Sequence, residues 1–211
     1  MKIESIRLRN YKCHADLKVH FQPSFNAIVG VNGSGKTSLL NAICDVLTGL
    51  FSNYLQLSHG NYRPLDGNNI ARLEVEVIQG RYSFEPQYPV EVAIVAQAFG
   101  VQCLWSVYTA STVQGYGFTG QLPGHVWRSQ HEQGNATPIA LPLVAFYRAN
   151  RHWNQPQPHE MQAATARNSI ADGYASWWNA SLDSTALQSW AIGKCLERFQ
   201  TSSETGVAFD A

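Results

Sequence analysis

The chain has 211 residues, 45% of them apolar and only 14% charged, and its 15 basic and 15 acidic side chains leave a formal net charge of +0. That length holds one large domain or one domain with an appendage, and the apolar share is ample for a packed core. Balanced charge excludes a global field drawing the chain to nucleic acid or acidic lipid, and no apolar run approaches the roughly 18–20 residues of a membrane span. Cys13, Cys44, Cys103 and Cys195 are far apart and form no C-x-x-C pair, which reads as reduced thiols in a cytoplasmic protein. The N-terminus runs straight into an alternating strand and carries no signal-peptide core.

In that first strand Ile6 and Leu8 share one face and Arg7 and Arg9 the other. Asn10-Tyr11-Lys12-Cys13-His14 turns the chain. Leu17, Val19 and Phe21 then alternate with Lys18 and His20, the pattern of a half-buried second strand. Pro23 and Ser24 break it, and Phe25-Asn26-Ala27-Ile28-Val29 follows as a short apolar run expected to be a buried strand.

Next comes Gly30-Val31-Asn32-Gly33-Ser34-Gly35-Lys36-Thr37, which fits the phosphate-loop pattern G-x-x-x-x-G-K-[ST]. Leu39, Ile43, Val46 and Leu50 are spaced as the buried stripe of a helix behind it, with Leu40, Leu47 and Phe51 beside them. The physics depends on strand, loop and helix together. Glycines let backbone N–H groups close around phosphate oxygens without Cβ clashes, and the helix start adds unpaired N–H groups and the positive end of its dipole. Lys36 is then expected on the β- and γ-phosphates of a nucleotide, as the catalytic cation, and the Thr37 hydroxyl on Mg²⁺.

Met1 to Leu47 resembles the N-terminal end of an ABC-type ATPase head of the SMC and RecF group. The likeness rests on Asn10-Tyr11-Lys12, Phe21-Gln22-Pro23 and the loop continuing through Ser38-Leu39-Leu40. Asn32 supplies the asparagine of the G-x-N-G-[SA]-G-K-[ST] form typical of that group. The resemblance implies that Asn32 lies near the γ-phosphate and that Gly30, Gly33, Ser34, Gly35 and Ser38 line the nucleotide. It implies that Lys12 reaches the nucleotide from the early turn; solvated surface is the other reading of Lys12.

Ser52 to Asn69 has loop chemistry. From Ala71 the two-residue period returns, in Leu73, Val75 and Val77, then Val90, Val92 and Ile94, then Val101, Cys103, Trp105 and Val107. These read as three antiparallel strands with one wet face. Glu74 and Glu76, two apart, read as an exposed strand face and not a catalytic pair. Gln114 to Pro138 reads as a loop tacked down by Tyr116, Phe118 and Trp127; aromatics near Arg128 leave a nucleic-acid stacking surface as the alternative. His125, His131 and Glu132 do not have zinc spacing.

Ile139 to Tyr147 is a near-continuous apolar run, expected to be a second buried strand parallel to the one feeding the loop. The segment from Tyr147 through Arg148 and Arg151 to Trp153 is similar to one in bacterial AAA-type ATPases of antiphage defence systems, including Septu and retron-associated ones. By that likeness Arg148 or Arg151 touches the γ-phosphate or relays its presence; two solvated surface arginines are the equal alternative. Gln155-Pro156-Gln157-Pro158 is a stiff connector. Beyond it the sequence turns helical, with Asp183 or Ser184 capping a helix that carries Leu187, Trp190, Ala191, Cys195 and Phe199 on one side.

The chain therefore reads as an α/β P-loop NTPase, an ABC-ATPase-like head with an antiparallel β subdomain and the start of a helical arm. Residues 1–158 are the expected ATP-binding lobe and 159–211 an incomplete helical arm. No four-apolar run closes in Asp-Glu, Val207-Ala208-Phe209-Asp210 being the nearest, and no L-S-G-G-Q-like signature is present. The resemblance puts both after the helical arm, so the chain reads as the N-terminal half of a head, a truncation or a short gene product. It also implies a homodimer or higher oligomer with ATP between heads, hydrolysis in the full assembly, and coupling to DNA, a nuclease or another effector. A non-hydrolysing ATP-binding module that completes its site with a partner is the alternative. The opening hairpin argues against a small-molecule kinase.

Overall fold

The computed structural model describes residues 1–51, 67–111, 116–132, 142–147, 177, 191–196 and 198–199. Two compact units divide the chain, Met1–Leu143 and Val144–Ala211.

The first unit is built on a five-stranded antiparallel sheet in the order β2-β1-β5-β6-β7, formed by β1 (Lys2–Tyr11), β2 (His14–His20), β5 (Val90–Ala98), β6 (Val101–Thr109) and β7 (Gly117–Gly120). Its register stacks apolar side chains in rows. Ile6 opposes Ile94, which opposes Trp105, and Leu8 opposes Val92, which opposes Val107. That face is the core, and all six side chains are buried. Burial of each contributes about 1.5–3 kcal/mol relative to exposure. The opposite face is mixed: it carries ion pairs, Arg7 on Asp16 and Arg9 near Glu91, beside the exposed Leu104 and Tyr108.

Helix α1 (Lys36–Phe51) packs on the apolar face. Leu39, Val46, Leu47 and Leu50 are buried as the spacing predicts, whereas Ile43 is half-buried and Leu40 faces solvent. Two bonds pin the helix: the Trp105 indole N–H donates to the Val46 carbonyl at 2.9 Å, and the Tyr11 hydroxyl donates to Asp45 at 2.5 Å. At Gly49 a Cβ would lie 2.8 Å from the Phe118 ring, so the helix reaches β7 only because it has no side chain there.

The third alternating segment departs from expectation. Strand β3 (Arg72–Ile78) does not join the main sheet; it pairs with β4 (Arg81–Gln87) as a separate hairpin through Gln79-Gly80, both at positive φ. Leu73 faces Pro86, Val75 faces Phe84 and Val77 faces Tyr82 across the ladder. The apolar members of that row are exposed, so its alternation does not mark burial. Glu74 and Glu76 do lie on an open strand face.

Both apolar runs expected as buried strands are corrected as well. Phe25 to Val29 forms no strand, and Phe25 and Val29 are 81% and 90% exposed. Residues 142–147 also lack regular structure, and Leu143 is 94% exposed. A parallel strand is buried by neighbours on both sides, and among the described residues neither run has a strand beside it. The expected loop from Gln114 to Pro138 instead contains β7 and helix α3 (Pro123–Glu132), which carries Trp127 and Arg128. A short helix α2 (Gly67–Ile70) precedes β3.

In the second unit, residues 191–196 and 198–199 are helical, as the pattern predicts, but Cys195 and Phe199 are exposed instead of forming a buried side. Leu187, Trp190, Arg148, Arg151 and Asp210 lie outside the described residues.

Candidate phosphate-binding site

The loop Gly30–Lys36 runs without regular structure into the first turn of α1. Gly33 and Gly35 take φ of 84° and 89°, conformations that cost an L-residue about 1–2 kcal/mol. The Ser34 amide closes a turn on the Val31 carbonyl at 3.3 Å, and the Leu39 amide makes the first helical bond to the Gly35 carbonyl at 2.9 Å. Lys36 folds back over this turn: its Nζ donates to the carbonyls of Gly30 and Val31, each at 2.7 Å. Its charge is thereby held at the mouth of the loop. No acidic residue occupies the first turn of α1, so no carboxylate competes with an incoming anion for the helix-start amides.

Asn32, Gly33, Ser34 and Thr37 are exposed around that mouth, while Lys36 and Ser38 are half-buried. An open ring of glycine backbone, a tethered ammonium and a free helix start suits a polyphosphate. The exposed Thr37 hydroxyl suits a divalent cation that accompanies one. Bound there, Mg-ATP would supply the phosphoryl group, held by the loop amides and Lys36.

The β1–β2 turn braces the loop from behind. Asn10 and Lys12 both have positive φ, 47° and 50°. The turn is tied to the body by the Lys12 amide on the Ile70 carbonyl at 2.7 Å and by Asn10 Nδ2 on the Pro89 carbonyl at 3.1 Å. Lys12 is half-buried in this turn. Cys13 and His14, which the sequence reading passed over, contact the loop from this turn. His14 Nε2 lies 3.4 Å from the Gly35 carbonyl, and Cys13 Sγ lies 3.9 Å from the Ser38 hydroxyl. A Cβ on Gly35 would sit 2.6 Å from both side chains. Their only signal in the sequence is that they follow Lys12 in the turn.

Residues 5–109, from β1 to the end of β6, match the AAA domain family model AAA_23. Over 86 residues the chain is 34% identical to structural maintenance of chromosomes protein 6 of Schizosaccharomyces pombe, covering 40% of this chain and 8% of that one. It is 39% identical over 80 residues to the DNA double-strand break repair Rad50 ATPase of Pyrococcus abyssi, covering 36% and 9%. With the DNA replication and repair protein RecF of Phocaeicola vulgatus it shares 34% over 93 residues, covering 44% and 23%.

Residues 5–109 are similar to an AAA domain, and the relatives that share the stretch are SMC, Rad50 and RecF proteins. A solved structure described under "Structural biochemistry of ATP-driven dimerization and DNA stimulated activation of SMC ATPases" overlaps at a TM-score of 0.40 and 24% identity, covering 57% of this chain and 71% of that one. The chain thus spans less than a quarter of the length of each curated relative named here. The matched stretch, residues 5–109, takes in the glycine loop, the β1–β2 turn that braces it and the helix behind it. Among the described residues, no helix is long and apolar enough to cross a membrane, and no cluster of His, Cys, Asp or Glu is arranged to hold a metal.

Proposed function

We propose that this chain binds Mg-ATP at Gly30–Ser38 and serves as the N-terminal part of an SMC- or RecF-type ATPase head. The observation that carries this reading is the tethering of Lys36 across the loop, 2.7 Å from the Gly30 and Val31 carbonyls, at the open start of α1. Lys36 neutralises charge on the β- and γ-phosphates and Thr37 holds Mg²⁺. Asn32 lies near the γ-phosphate, Lys12 approaches from the turn, and Arg148 or Arg151 acts from beyond the AAA domain. In the assembly two heads meet head-to-tail with ATP between them, and hydrolysis gates a DNA transaction or an antiphage response through a nuclease or other effector in the cytoplasm. Relatives named for DNA repair and for an ATPase support the DNA-linked version. Mg-ATP titration of the intact chain against Lys36→Ala tests the site; equal affinities would sink it.

The placement of the described acids favours a second reading, an ATP-binding module that completes its catalytic site with a partner. Asp16 is paired with Arg7, Glu4 is bonded by Gln97 and Gln102, Asp45 is buried against Tyr11, and Glu74 and Glu76 lie on the hairpin. Asp16, Glu4, Asp45 and Glu91, the last beside Arg9, are engaged with other partners, whereas attacking water at the loop mouth would need a carboxylate. Steady-state ATP turnover by the purified chain alone would exclude this reading.

A further inference from the structure

We propose that His14 is a positioning residue for the phosphate loop: it donates from Nε2 to the Gly35 carbonyl and so aims the Lys36 amide at the phosphate. The inference rests on the ATP-binding reading for its functional consequence, and on geometry for the contact itself.

A carbonyl oxygen only accepts, so the 3.4 Å contact requires the proton on His14 Nε2. The Gly35 carbonyl belongs to the same planar unit as the Lys36 N–H, and the two point in opposite directions. Holding the carbonyl from the β1–β2 side therefore fixes the direction of the amide on the ligand side. The Leu39 amide, 2.9 Å from the same oxygen, secures it along the helix axis, and His14 adds a second restraint from the strand turn.

Two features show that the contact is built into the fold. Gly35 has φ +89°, and a Cβ there would fall 2.6 Å from His14 Cε1 and Nε2, so the ring occupies the place a side chain would take. The turn that presents His14 has its own backbone at positive φ and is anchored at Ile70 and Pro89. It holds the imidazole from outside the loop. The Lys36 side chain is held separately, by its Nζ on the Gly30 and Val31 carbonyls.

The test is calorimetric titration of Mg-ATP into the full chain, with the Lys36 amide resonance followed by NMR before nucleotide is added. His14→Ala is expected to weaken binding about five-fold and to shift or broaden the Lys36 amide signal. His14→Gln, whose side-chain amide donates from a similar reach, is expected to bind within about two-fold of wild type. Wild-type affinity in His14→Ala would overturn the proposal, and so would a Gln variant as weak as the Ala variant, because bulk alone would then explain the effect. If the unaltered chain fails to bind Mg-ATP, the ATP reading falls. A Lys36 resonance that still responds to His14→Ala then upholds the positioning contact, and one that does not respond removes it too.

Discussion

The Tyr11 hydroxyl donates to the Asp45 carboxylate at 2.5 Å, joining the last residue of β1 to the middle of α1 where both side chains are almost wholly buried. A polar bond in that position is costly to lose, since the carboxyl oxygen has little access to water. Tyr11→Phe is expected to lower stability by about 1–3 kcal/mol. Asp45→Asn, which keeps an oxygen to accept from Tyr11, should cost less. Urea unfolding monitored by circular dichroism checks the order of the two.

The two left-handed loop glycines should respond differently to alanine. At Gly33 a Cβ meets nothing within 4 Å, so Gly33→Ala carries only the backbone penalty of about 1–2 kcal/mol. At Gly35 the same penalty is joined by overlap with Cys13 and His14. Gly35→Ala should therefore cost clearly more stability than Gly33→Ala and weaken Mg-ATP binding at least about ten-fold, by displacing the turn or the loop. Thermal melts and nucleotide titration of the pair measure the difference; equal losses would show that the β1–β2 turn yields freely.

Acid sensitivity should be traceable to one surface pair. The hydrogen bond from Arg7 holds the Asp16 carboxyl below the usual aspartate range. A carboxyl depressed in the folded state contributes stability above its unfolded value, near pH 4, and loses it as pH falls through the folded value. Asp16→Asn should flatten the acid limb of the stability profile below about pH 4 and leave its slope at neutral pH unchanged. The effect is small because both partners are solvated. Urea midpoints measured from pH 2 to 6 show whether it is there.

Thiol chemistry should sort the cysteines by position. Cys13 and Cys195 are exposed, Cys44 is buried in α1, and Cys103 is buried on β6 with its thiol pushed up by desolvation. Iodoacetamide at mildly alkaline pH should modify Cys13 and Cys195 at least about ten-fold faster than the other two. Peptide mapping by mass spectrometry reads this directly. Rapid labelling of Cys103 in the folded chain would contradict the packing around Trp105.

The phosphate loop, α1 and the opening strands were legible because their patterns encode local causes. Glycine spacing, the stripe Leu39, Val46, Leu50 and the alternation Ile6, Leu8 each specify a conformation without reference to distant residues. The rest depended on partners. Phe25 to Val29 is as apolar as a core strand, but apolarity does not supply the neighbours that bury one. Strand β4 was masked by Pro86, which weakens a strand signal, although Tyr82 and Phe84 keep the alternation. Strand β7, Gly117-Phe118-Thr119-Gly120, is four residues long, and its two strand-favouring side chains are flanked by glycines, too short a run to read as a strand. It exists because Gly120 admits the Leu104 carbonyl, which would lie 2.3 Å from a Cβ there. Pro123 at the first position of α3 was an available helix-start signal. At the site, Lys36 and the glycines could be read from spacing, but His14 could not, since nothing in a sequence reports which side of a peptide plane a histidine approaches.

The anchoring of α1 also sets how that helix can move. Asp45 and Val46 are consecutive, and they are gripped from two different strands, by Tyr11 of β1 and Trp105 of β6. The grip lies about 15 Å along the axis from Lys36. A helix held at one level by two strands of the sheet beneath it is mounted on a fulcrum. Axial sliding breaks both bonds, whereas tilting strains them least. A push on the Lys36 end would swing the Leu50 end the opposite way, making α1 a rocker whose far arm bears on Phe118 and Leu122 through Gly49.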